Sequence, residues 1–292
     1  MYIYGWLIGA LLLFFAAAIF TALSLLLVLF LLFLLALMPH RRRPGTTELS
    51  KIFYAHRGLW DERIAENSLS AFSAAVQKGF GIELDVQLSS DGEVMVFHDE
   101  DLARMTGVNA SLYGKDKAFL SSLHLSGTAD TISTLKEVLA LVDGRVPLLI
   151  EIKSDHAWRG VCEKTAALLD GYHGAYLIES FHPLAVAWFR KNRPHIVRGQ
   201  LSARIWKDKT MRTLSHAVVQ NLLLNFYARP DFIAYDLHDK NYFAFRLARL
   251  FKPATFAWTV RTREDLEASA DFDSLIFEGE AATFLYDRER NG

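Results

Sequence analysis

A single cysteine, Cys162, occurs in 292 residues. It excludes an internal disulfide framework and has no partner for a Cys-rich metal site, so it reads as packing on a helix. Neither sign of charge prevails: 33 acidic side chains stand against 32 Lys and Arg, which leaves no global field to favour nucleic acid. No Gly-rich phosphate turn lies near the first strand-like run, which speaks against a doubly wound open sheet. No internal repeat is evident. Charge is missing altogether from Tyr2 to Met38, where Leu, Phe, Ala, Ile and Val dominate.

That apolar run is long enough for one tilted membrane span with an interfacial extension, and too short for two. A cleavable leader has a basic start and an apolar core of about 7 to 15 residues; neither is present, so a retained single-pass anchor is expected. His40-Arg41-Arg42-Arg43 follows, with no Lys or Arg ahead of the span; this asymmetry favours a cytoplasmic downstream domain over a generic charged collar with the opposite orientation. The three arginines also suit anionic headgroups. Tyr2, Tyr4 and Trp6 fit an aromatic belt at the other interface. The expected division is a transmembrane helix over 1–40, a basic juxtamembrane linker over 41–51, one large domain over 52–285 and a tail over 286–292.

Within the large domain, strand-like runs lie near 52–56, 81–86, 94–98, 147–152, 175–180, 196–200, 232–236, 254–260 and 274–278. Helical patterns at 68–79, 133–142, 157–171, 183–191, 241–250 and 262–270 separate most of them. Such alternation predicts a parallel sheet covered by helices, and at this size a closed (β/α)8 TIM-type barrel. Nine strands are one too many. The run at 94–98 leaves no room for a helix after 81–86, so the barrel must be irregular there.

The chemistry gathers between Ala55 and Asp99. Glu83 and Asp85 are two apart on a strand and leave the same face, where they can hold one hard cation through oxygen. His56 and His98 each end a short apolar run, which suits two imidazoles sharing general acid and base roles at neighbouring strand ends. Arg57 offers a planar cation for a phosphate. Further on, Glu151 and Lys153 share a strand face in Leu148-Leu149-Ile150-Glu151-Ile152-Lys153. They either pair with one another or neighbouring side chains, or supply a third metal carboxylate beside a phosphate-binding lysine. Trp258 reads as a wall of the pocket, and His182 and His238 as structural or surface residues.

His56-Arg57-Gly58, Glu66-Asn67-Ser68, Glu83-Leu84-Asp85-Val86, Asp91-Gly92, Phe97-His98-Asp99, Glu151-Ile152-Lys153 and Trp258-Thr259-Val260 stand in this order. Together they resemble the glycerophosphodiester phosphodiesterase family over roughly residues 52 to 280. The resemblance implies a small insertion at 99–131, Mg2+ or Ca2+ as cofactor, and attack by a neighbouring glycerol hydroxyl to give a cyclic phosphate that water then opens. Two places depart from the family pattern. Ala65 stands where Pro normally precedes Glu66-Asn67, leaving Glu66 available as a metal or hydroxyl contact. Ile276-Phe277-Glu278 replaces a Thr-Asp pair, which would reshape the closing strand without touching the residues assigned to chemistry.

The expected activity is metal-dependent hydrolysis of a glycerophosphodiester, or of a (lyso)glycerophospholipid head group, with release of an alcohol and a glycerol phosphate. An anchor in the bilayer favours the lipid. The competing functions are a catalytically silent head-group sensor or scaffold, and a barrel phosphodiesterase for another lipid head group. The expected partners are the substrate and the bilayer, with no nucleic acid, and nothing specifies an oligomeric state.

Overall fold

The computed structural model describes residues 2–40, 44–153 and 156–291. Arg41, Arg42 and Arg43, and the side chains of Tyr2 and Tyr4, lie outside that description, and so do the headgroup contact and most of the aromatic belt expected of them. Nine strands occur among the described residues: β1 (Tyr54–Ala55), β2 (Gly81–Leu88), β3 (Val94–Val96), β4 (Leu148–Ile152), β5 (Tyr176–Ser180), β6 (Val197–Ser202), β7 (Phe232–Asp236), β8 (Ala254–Val260) and β9 (Ser274–Phe277). Eight of them close a parallel ring, because β1 pairs with both β2 and β9. The ninth, β3, turns back antiparallel on β2. That hairpin resolves the surplus strand: it adds to the edge of β2 without entering the ring.

The helices are α1 (Tyr2–Ala36), α2 (Pro44–Leu49), α3 (Leu69–Lys78), α4 (Ala103–Thr106), α5 (Lys117–Leu120), α6 (Leu135–Val142) and α7 (Trp158–Leu169) in the first half. Then come α8 (Pro183–Asn192), α9 (Leu214–Gln220), α10 (Asn225–Ala228), α11 (Phe243–Ala248), α12 (Arg263–Ala268) and α13 (Ala281–Asn291). Side-chain caps set some of their starts: Ser68 accepts from Ala71 N at α3, and Thr134 and Glu137 form a reciprocal capping box at α6. The stretch expected as a linker contains α2, and α13 runs through the stretch expected as a tail.

The strands alternate inward and outward, and the two faces make two cores. Outward residues such as Ile82, Leu84, Ile150 and Ile178 pack under the helices, where Cys162 is also buried. Inward residues Tyr54, Leu149, Leu177, Phe232 and Phe256 fill the barrel as an apolar plug. Leu149 and Leu177 are each followed two residues later by a carboxylate, Glu151 and Glu179. The plug is therefore capped, toward the carboxyl ends of the strands, by acidic groups.

Helix α1 contains one stretch, Gly9–Ala36, long and apolar enough to cross a membrane, and none of its most apolar window is buried. Length and composition alone would also suit a signal sequence. Its end, however, is built into the barrel wall. Leu37 is fully buried with Leu222, Ile233, Tyr235 and Phe245, and Phe33 stacks on Phe243 at 5.8 Å. Asn225 Nδ2 donates to the Leu37 carbonyl at 3.3 Å, and His40 N donates to the Pro230 carbonyl at 2.8 Å.

Candidate active site

The centre of the site is set by strand register. Asp85 on β2 sits opposite Glu151 on β4, and Glu83 leaves the same face of β2 as Asp85. One oxygen from each of the three lies within 4.8 Å of the others, and all three side chains are buried. Bringing three carboxylates together out of water is unfavourable. Burial, then the charges of Asp85, Glu179 and Glu151, push the Glu83 carboxyl well up. Burial also lifts Glu151 to about 7, although Lys153 opposes it.

Neighbouring cations offset part of this charge. Lys153 Nζ lies 3.1 Å from Glu151 and 3.5 Å from Asp85. Arg57 Nε lies 3.5 Å from Asp85, and the Arg57 backbone N–H donates to Glu83 Oε2 at 2.9 Å. Burial would raise Asp85, but Lys153, His98 and Arg57 hold it far below the ordinary carboxylate range. Asn67 Nδ2 donates to Asp85 Oδ2 at 2.8 Å, while the buried Asp85 Oδ1, with the Lys153 ammonium 3.5 Å away, has no hydrogen-bond partner among the described residues. An all-oxygen, buried, acidic cradle with an unmatched oxygen fits a hard divalent cation such as Mg2+ or Ca2+.

The turn after β1 requires unusual backbone. Arg57 and Asn67 both have left-handed φ, +59° and +53°. At Gly58, φ is +81° and a Cβ would stand 2.8 Å from the Ala71 Cβ, so only glycine fits. This turn aims the Arg57 N–H and guanidinium at the cradle.

The two histidines flank the carboxylates, and each is oriented by an acid. His56 Nδ1 is 2.5 Å from Glu278 Oε2, with Nε2 turned to Glu83 Oε2 at 4.0 Å. His98 Nδ1 is 2.7 Å from Asp99 Oδ1, and burial holds the His98 imidazole below its ordinary pKa. Burial would raise Glu278, but the hydrogen bond and charge of His56, with Arg261, bring it down to about 2.

Glu278 corrects the expectation that the closing-strand departure leaves the chemistry untouched. Ring closure pairs Phe277 with Ala55, so the next residue of each strand, Glu278 and His56, must be neighbours. That adjacency was available from the sequence once the barrel was taken to close. Glu179 is a second acid not expected from the sequence: it lies opposite Glu151, is buried, and is driven well above its ordinary pKa by burial and by Glu151.

Glu66 is held by two arginines. Arg57 Nη1 donates to its Oε1 at 2.8 Å, and Arg104, itself paired with Asp99 at 2.6 Å, donates to both oxygens. Trp258, in the second half of β8, meets Phe181 edge-on at 5.5 Å, and its buried Nε1 finds no hydrogen-bond acceptor among the described residues. His182 packs on Trp158 at 4.9 Å, and His238 is exposed.

The family model of the glycerophosphoryl diester phosphodiesterase family matches residues 56–279. A glycerophosphodiester phosphodiesterase of Bacillus altitudinis is 36% identical over 162 residues, 51% of this chain and 64% of the relative. The human lysophospholipase D GDPD1 is 32% identical over 136 residues, 42% of each chain. The matched stretch thus spans less than two thirds of either relative. Among solved structures, a glycerophosphodiester phosphodiesterase of Thermotoga maritima aligns with a TM-score of 0.61 at 25% identity, over 77% of this chain and 94% of its own. An Oleispira antarctica phosphodiesterase in complex with the product sn-glycerol-3-phosphate aligns with a TM-score of 0.63 at 20% identity, over 77% and 92%. At that identity the second likeness is one of fold.

Proposed function

This chain belongs to the glycerophosphoryl diester phosphodiesterase family, and from that premise we propose that it hydrolyses a glycerol phosphodiester, soluble or lipid, to an alcohol and a glycerol phosphate. The observation that carries the proposal is the cradle of Glu83, Asp85 and Glu151, closed within 4.8 Å and flanked by two acid-oriented histidines. A divalent cation bound there would supply Lewis-acid polarisation of a phosphate oxygen.

The chain's own residues do the rest. Arg57 and Lys153 carry positive charge at the rim of the cradle and orient the phosphate. Glu66, pinned between Arg57 and Arg104, keeps the Arg57 guanidinium in place. Nδ1 of each histidine is engaged by its carboxylate, which leaves Nε2 for the reaction. One Nε2 accepts the proton of the attacking hydroxyl and the other donates to the leaving oxygen. Trp258 and Phe181 wall the pocket against water.

The same geometry supports a retained membrane anchor over a cleaved leader. Removing the apolar segment would strip Leu37 from a fully buried cluster and free the carbonyl and N–H contacts at Asn225 and Pro230. The charge asymmetry at Arg41–Arg43 favours a cytoplasmic catalytic domain.

Product identification by mass spectrometry, on full-length protein with Mg2+ or Ca2+ and a panel of glycerophosphodiesters and lysophospholipids, tests the activity. Glycerol phosphate should appear, and His56→Ala or His98→Ala should each lower turnover by about 10²–10⁴-fold with metal binding retained by calorimetry. No metal uptake, or a His56→Ala protein equal to wild type, would instead favour the silent head-group sensor.

A further inference from the structure

Beside the cradle lies an apolar groove of about 810 Å³, whose lining joins Glu151 and Lys153 to Phe181, Trp258 and the excursion between β6 and β7. We propose that this groove is the subsite for the acyl chain of a single-chain glycerophospholipid, drawn from a bilayer that lies over the catalytic face. The inference rests on the phosphodiesterase activity proposed above and names its substrate class.

The path of α1 gives the first support. Pro230 precedes β7, at the amino-terminal rim of the barrel, and His40 is bonded there. Phe243 opens α11, past the carboxyl end of β7, and Phe33 stacks on it. Between His40 and Phe33 the chain therefore climbs the barrel wall from the floor toward the catalytic rim, passing Ile233 and Tyr235. Continued in that direction, the exposed apolar residues ahead of Phe33 leave the protein on the side where the strands end and the cradle opens. A membrane that holds this helix covers the site.

The groove itself is the second support. Its volume lies within the range of small-molecule sites, roughly 300–1,000 Å³. A chainless glycerophosphodiester is polar and would leave most of its wall unused. Met211 and Leu214 belong to the lining, yet they remain 46% and 82% exposed, which suits a mouth that meets lipid. The excursion that supplies Val218 and Leu224 to the groove also supplies Leu222 and Asn225 to the seat of α1. One segment thus lies between the anchor and the groove.

A lysophospholipid with a photoreactive diazirine at its chain end, mixed into nanodiscs with the full chain, tests the placement without requiring turnover. Crosslinks mapped by mass spectrometry should fall within 203–224 or at Phe181; crosslinks confined to α1 would overturn the proposal. Kinetics give the second readout. With monomeric lysophosphatidylcholines, kcat/KM should rise about fourfold per added methylene until the groove is full. Val218→Trp and Leu214→Asp should each cut it at least tenfold on the long-chain substrate, while glycerophosphocholine stays within twofold. Equal rates at all chain lengths, or equal losses on both substrates in the exposed-site Leu214→Asp protein, would refute the groove while leaving the phosphodiesterase activity standing. Crosslinking within 203–224 without hydrolysis of any diester would do the reverse.

Discussion

Glu278 stands to His56 as Asp99 stands to His98, although the first pair is separated by 222 residues and the second by one. The short-range pair can be read from Phe97-His98-Asp99 in the sequence; the long-range pair exists only because the barrel closes. An orienting carboxylate fixes the tautomer and ring plane of a catalytic imidazole, so its loss should reach the rate before it reaches the metal. Glu278→Gln should lower kcat on the order of tenfold to a hundredfold and leave cation affinity, measured by calorimetry, unchanged. The same carboxyl sits at about 2, below its ordinary 4.5. A depressed folded-state pKa contributes stability that is whole above 4.5 and lost as pH falls toward 2. Acid unfolding of Glu278→Gln should therefore be shallower across that window, and an unchanged acid limb would mean that the His56 and Arg261 contacts do not form in solution.

The strands were legible because each is a short apolar run bounded by turn residues, and every run read from the sequence became a strand of the barrel or of its hairpin. The excursion between β6 and β7 was not. Its helices α9 and α10 have seven and four residues, and their apolar side chains are divided between the groove, the seat of α1 and solvent, so no single helical stripe emerges. The resemblance pointed instead to an insertion at 99–131. That segment encloses its own small core around Leu102, Met105, Leu112 and Leu120 and sends Arg104 and Asp99 toward the site. Strand β6 carries one further constraint that no pattern announces. Gly199 points into the barrel, and a Cβ there would stand 2.1 Å from the ring of Phe232 on the neighbouring strand. The plug cannot yield without shifting Phe256, which stacks on Phe232 at 4.3 Å. Gly199→Ala should destabilise the protein by about 2–3 kcal/mol, a fall of roughly 5–10 °C in Tm, and an unchanged Tm by scanning calorimetry would show that the ring has room to move.

Across the whole molecule, the barrel's apolar plug and its helical shell converge on a mouth where four acids meet: Glu83, Asp85, Glu151 and Glu179. Without a cation, such a mouth works against the fold as pH rises. Glu151 is lifted to about 7 from an ordinary 4.5, and a raised acidic pKa contributes stability that is present below 4.5 and lost as pH climbs through 7. A divalent ion held by the deprotonated acids would reverse that slope, since Asp85 and Glu151 stand opposite one another on β2 and β4. It must also displace the protons that the raised pKa values retain. The apparent affinity for Mg2+ should then fall about tenfold per pH unit below 7 for each proton displaced, and the gain in Tm on adding Mg2+ should be small near about pH 5.5 and large near about pH 8. Glu151→Gln removes the titrating partner without removing its volume, so in that protein the gain should be smaller and should vary less with pH. A gain in Tm of equal size at both pH values in the wild-type chain would place the ion somewhere other than among these carboxylates.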